Sequence, residues 1–105
     1  MQVEVRGRSL SVTGALKEYI QRRVAFALDR FWPKVERVVV RVTGDGDGRG
    51  VGMTCSISAS GSALPAHIVA ARNEDLYAAI DIAAGRLGRQ VARTLDRRAI
   101  LHRAS

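Results

Sequence analysis

Arg86, Arg89, Arg93 and Arg97 stand three, four and four residues apart, which places them on one stripe of a 3.6-residue helix. Guanidinium groups about one turn apart, ~5–6 Å, repel one another by a few tenths of a kcal/mol per pair. A polyanion lying along such a row converts the repulsion into attraction, and the planar guanidinium fork suits bidentate contact with phosphate. A solvated helix face usually alternates its signs, but here Asp96 alone interrupts the arginines between Gly85 and Leu101. A second basic group, Arg22, Arg23 and Arg30, interleaves with Tyr19 and Phe26 at helical spacing, a mixture suited to pairing with phosphates and stacking on bases. Tyr19 and Phe26 also read, more plainly, as core-edge residues packed on a neighbouring element.

Other chemistry is sparse. The segment Asp45-Gly46-Asp47-Gly48-Arg49 mimics the start of a calcium loop, but Arg49 stands where Asp or Asn is needed and Ser56 where the closing Glu belongs. It reads as a turn. The glycines form neither a dinucleotide fingerprint nor a phosphate loop. His67 and His102 have no ligand spacing with Cys55, so no metal is expected. Cys55 alternates with Met53 and Ile57 on an apolar face, which makes it buried filler rather than a nucleophile served by His67. The expectation is a chain with no catalytic residue, no cofactor and no small-molecule substrate.

The chain has 105 residues, enough for one domain with its own core, and carries a net charge of +7 with a pI near 11.0. Only Lys17 and Lys34 are lysines, and the other basic residues are arginines. Such a balance points to nucleic acid or an anionic membrane surface. A lone cysteine allows no intramolecular disulfide, no run approaches the ~20 apolar residues of a membrane span, and the opening residues lack a signal peptide's apolar stretch. These features predict a cytoplasmic location without membrane association. They leave the oligomeric state open.

The elements that must position the arginines follow from periodicity. Residues 2–8 alternate, with Val3 and Val5 on one face and Gln2, Glu4 and Arg6 on the other, as in a half-buried strand. Thr13 caps a helix over 13–32, carried by Leu16, Ile20, Val24 and Phe31 and stopped by Pro33. Residues 35–43 form a second strand, 51–60 a third and 66–72 a fourth, with turns at 44–50 and 61–65. Asn73 or Asp75 caps the last helix, which runs to Ile100 and leaves 101–105 as a mobile tail. A β–α–β crossover of this length favours a parallel strand pair. The order β–α–β–β–β–α predicts an α+β two-layer sandwich, a four-stranded sheet with both helices on one face. The helices' outward sides would then border a shared basic groove.

The run Asp75-Leu76-Tyr77-Ala78-Ala79-Ile80-Asp81, followed by Arg86, Leu87, Arg89, Gln90, Arg93 and Arg97, resembles the second helix of the ribosome hibernation-promoting factors, also called ribosome-associated inhibitors. Met1-Gln2, Gly7, Val12-Thr13, Ala15-Leu16-Lys17-Glu18-Tyr19 and Arg23 resemble that family's opening. The resemblance covers nearly the whole chain and implies a fold similar to double-stranded RNA-binding domains. It also implies a partner, the small ribosomal subunit and its RNA, bound where messenger and transfer RNA would lie so that idle ribosomes are silenced. Lys17, Arg23, Arg86, Arg89, Arg93 and Arg97 match positions where the family is basic and would contact ribosomal RNA phosphates. Arg22 and Arg30 join them by geometry alone. Phe26 departs from a position that is commonly basic, and the segment from Ser60 to Pro65 reads as longer than usual. The chain resembles the short class of the family, and a companion hibernation factor is compatible with it. A different outcome is a diverged member that self-associates through the open face of the sheet, where Val39 interrupts the charges.

Overall fold

The computed structural model describes residues 1–44 and 52–104. The calcium-like segment 45–49 therefore lies outside the described residues. The elements are β1 (Gln2–Arg8), α1 (Gly14–Ala27), a 3-10 segment (Asp29–Lys34), β2 (Arg37–Thr43), β3 (Met53–Gly61), β4 (Leu64–Asn73) and α2 (Leu76–Ala104). The strands pair in the order β1-β2-β3-β4, with β1 parallel to β2 and the other two pairs antiparallel. The α+β architecture and the crossover are those expected.

Register explains the core. Val3 pairs with Val38 and Val5 with Val40, while Val38, Val40 and Val42 oppose Ala59, Ile57 and Cys55. Ile57 and Cys55 in turn oppose Val69 and Ala71. Because strand side chains alternate, this one apolar face runs across all four strands. Leu16, Ile20 and Val24 of α1 and Ile80, Ala83, Leu87 and Val91 of α2 bury against it. At ~25 cal/mol per Å² of apolar surface, each large side chain among them contributes roughly 1.5–3 kcal/mol.

Several boundaries differ from expectation, among them β3 (Met53–Gly61) and β4 (Leu64–Asn73), expected at 51–60 and 66–72. Helix α1 ends at Ala27, and the chain tightens into 3-10 geometry that carries Pro33 inside it. Its turns are closed by the amides of Phe31 and Val35 on the Leu28 and Trp32 carbonyls, so that proline's missing N–H is not called on there. Buried Phe31 and Val35 hold this segment to the core. The supposed longer loop at Ser60–Pro65 is a tight turn at Ser62-Ala63, since β3 and β4 pair as far as Gly61 and Leu64. The second strand begins at Arg37, two residues later than expected. Finally, α2 continues through 101–104 to Ala104 instead of ending at Ile100.

Both caps form. Thr13 Oγ1 accepts from Leu16 N at 3.2 Å, and Asp75 Oδ1 accepts from Tyr77 N at 3.0 Å, satisfying amides that a helix start leaves unpaired.

Candidate nucleic-acid interface

The two helices meet along a seam that the sequence does not announce. Tyr19 Oη donates to Asp81 Oδ1 at 2.6 Å, and Arg23 Nε donates to the same oxygen at 2.9 Å. Arg23 Nη2 reaches the Asp81 carbonyl at 3.3 Å. The hydrogen bond to Asp81 pushes the Tyr19 hydroxyl above its ordinary pKa, with burial adding to it. Tyr19 and Tyr77 rings pack edge to face at 4.8 Å. Farther along, Gly88 lies so close to α1 that a Cβ there would stand 2.9 Å from the Ala27 carbonyl oxygen. The space between the helices is therefore filled. It is not the shared basic groove expected.

Instead the basic residues divide between two flanks. On α2, the residues that meet α1 are Tyr77, Asp81 and Gly88, whereas Arg86 Nη1 donates to the Ala70 carbonyl of edge strand β4 at 2.7 Å. The stripe Arg86, Arg89, Arg93 and Arg97 thus runs along the side of α2 away from α1, all four side chains exposed. Arg98 lies toward the β3–β4 turn, where it donates to the Ala63 carbonyl. On α1, Lys17 borders a cleft with Gln2, Val5 and Arg37, and Arg22 borders another with Met1, Val3 and Trp32, so both lie on the β1 side.

The acids decide which cations are engaged. Arg23 is held by Asp81, with a side chain only 27% exposed. Asp96, the one acid within the arginine-rich stretch, turns toward Arg30 at 3.5 Å, leaving the stripe without a carboxylate partner among the described residues. Between these points Phe26 stands outside the core, 78% exposed, with Arg23 5.8 Å from its ring centroid. It borders a cleft of about 330 Å³ with Arg30, Phe31 and Ala92. The core-edge reading therefore holds for Tyr19 and fails for Phe26. Alternation on the strands leaves a further basic group, Arg8, Arg41 and Arg72, which attention to helices alone overlooks.

Cys55 and His67 do not meet. Both face the helices, but Cys55 opposes Ala71 and His67 opposes Ala59, four residues apart along β3, about 13 Å. Burial pushes the Cys55 thiol up to about 12, and His67 is occupied by Thr94 Oγ1 at 2.8 Å and the Pro65 carbonyl at 2.7 Å.

Residues 3–99 match the family described as sigma 54 modulation protein / S30EA ribosomal protein. The chain belongs to this family. It is 35% identical over 92 residues to the ribosome hibernation promoting factor of Azotobacter vinelandii, covering 87% of this chain and 79% of that one. The N-terminal domain of Protein Y from Thermus thermophilus superposes with a TM-score of 0.75 at 27% identity, over 90% of this chain and 99% of that domain. A ribosomal subunit interface protein from Coxiella burnetii shares the fold, with a TM-score of 0.76 at 12% identity over 91% of this chain and 99% of the other. Membership of this ribosome-associated family agrees with a charge of +7, and no helix among the described residues is long and apolar enough to cross a membrane.

Proposed function

We propose that this chain is a non-enzymatic hibernation factor of the cytoplasm. It binds the small ribosomal subunit in the channel where messenger and transfer RNA lie, and it silences idle ribosomes by steric competition. The observation that carries this reading is the exposed row Arg86, Arg89, Arg93 and Arg97, which has no carboxylate partner among the described residues, Asp96 pairing with Arg30 instead. Lys17 and Arg22 supply charge on the opposite flank, so the contact is with RNA on two sides of a helical pair rather than in a groove between the helices. Arg23 and Arg30 act at its margin, tied to Asp81 and Asp96. Recognition is by shape and phosphate charge, because the deep major groove of A-form RNA is closed to side chains and phosphate contacts carry no sequence information.

Engaging roughly 6–8 phosphates, the protein should lose about a thousandfold or more in affinity between low and moderate salt. Co-sedimentation with purified small subunits across a salt series tests this. A steep salt response is expected, together with loss of binding when Arg86, Arg89 and Arg93 are changed to Glu. A flat response, or intact binding by that variant, overturns the reading.

A further inference from the structure

The face of the sheet turned away from the helices is also basic. Register places its side chains in rows across the strands. Arg8, Thr43, Thr54 and Arg72 form one row, Arg6, Arg41, Ser56 and Ala70 the next, and Glu4, Val39, Ser58 and Ile68 a third, with Arg37 beyond. Among the described residues, five arginines meet one acid there. Glu4 accepts from Arg6 at 2.8 Å and from Arg37 at 3.2 Å, and these contacts hold its carboxyl below the usual carboxylate range. The trio lies around Val39, which is only 8% exposed although it faces away from the core. Arg8, Arg41 and Arg72 meet no carboxylate among the described residues.

We infer that this open face is a second surface for RNA backbone, so that one chain can hold two RNA segments on opposite sides of itself. The inference rests on the proposed RNA-binding role for the class of polyanion. Three features select RNA as occupant. Arginine forks separated by hydroxyl residues offer donors for phosphates together with partners for 2′-hydroxyls. Arg8 and Arg72 sit at the two margins of a four-stranded sheet, roughly 14 Å apart at three strand spacings, which spreads charge across a broad flat surface. Among the described residues Ile68 is the only large apolar side chain exposed on the face, too little to anchor a lipid surface. A second copy of the chain is disfavoured, because two such faces repel and Val39 is already covered.

The test uses the full chain, a biotinylated hairpin RNA on beads and a fluorescent hairpin in solution. One variant carries Arg8→Gln, Arg41→Gln and Arg72→Gln, and another carries Arg89→Gln, Arg93→Gln and Arg97→Gln. The unmodified chain should carry the fluorescent hairpin onto the beads. Each variant should still bind the immobilised hairpin but fail to co-capture the second. In the sheet variant the slope of log affinity against log salt should fall by about two to three. An unmodified chain that co-captures nothing overturns the proposal, as does a sheet variant with undiminished co-capture and slope. Loss of the sheet variant's binding to phosphatidylglycerol vesicles but not to RNA also overturns it. If instead the α2 variant behaves as the unmodified chain while the sheet variant loses RNA, the helical interface fails and the sheet surface stands. Should the triple variant not fold, Arg41→Gln alone should lower the slope by about one, and no change there sinks the idea equally.

Discussion

Arg23 and Arg93 carry the same charge in different surroundings, and their variants should fail differently. Arg93 is exposed on the stripe; Arg93→Gln should weaken RNA binding evenly across sequences and reduce the salt slope by about one, with folding unchanged. Arg23→Gln should cost about 1 kcal/mol in urea unfolding, because it leaves Asp81 with the Tyr19 hydroxyl alone, and should change RNA affinity less. The reverse pattern would mean that the two roles are misassigned. Tyr19 sets a pH dependence. Its folded-state pKa is raised, so the stability from its bond to Asp81 is fully present below the unfolded value of 10.0 and disappears as pH rises past the folded one. The stability gap between the unmodified chain and Tyr19→Phe should therefore shrink above pH 10; a constant gap contradicts the bond. Cys55, with its thiol pushed up to about 12, should resist thiol reagents at neutral pH until the chain unfolds, and rapid labelling of the native protein would refute its burial.

How the two helices meet each other depends on a few close contacts, and these were the least legible part of the chain. Alternating valines and serines announced the strands, and Thr13 and Asp75 announced the helix starts, because period and capping are local properties. The arginine stripe was equally legible as a stripe. Which flank it occupies was not, since that depends on Asp81 meeting residues 58 and 62 positions earlier in the chain. Nor could spacing alone show that Pro33 would sit within a 3-10 segment, or that Phe26 would turn outward while Tyr19 turned in. Gly88 tests the seam. In the middle of a helix glycine costs about 0.5–1 kcal/mol relative to alanine, yet a Cβ here would press on the Ala27 backbone. Gly88→Ala should therefore lower stability, by roughly 1 kcal/mol in denaturant unfolding, through overpacking. A stabilised variant would show that α1 and α2 are not in close approach.

At the scale of the molecule, a sheet with one apolar face and one basic face carries two helices, and the arginine stripe of α2, without a carboxylate partner among the described residues, lies on the flank away from α1. The body is slender, 54 × 24 × 18 Å, with Ile100 and Leu101 exposed toward the end of α2. Such a shape presents charge over most of its length, which suits a channel walled by RNA better than a single strand laid in a cleft. Asp81 and Asp96 pair with Arg23 and Arg30, and the stripe of α2 has no carboxylate partner among the described residues. The proposed mode of silencing is steric competition with the ribosome's own ligands. The most direct measurement is the affinity of a fluorescently labelled chain for empty small subunits and for subunits already loaded with messenger and transfer RNA. Loaded subunits should bind the chain far more weakly, and added chain should block loading of empty ones; equal affinity for the two would contradict the account.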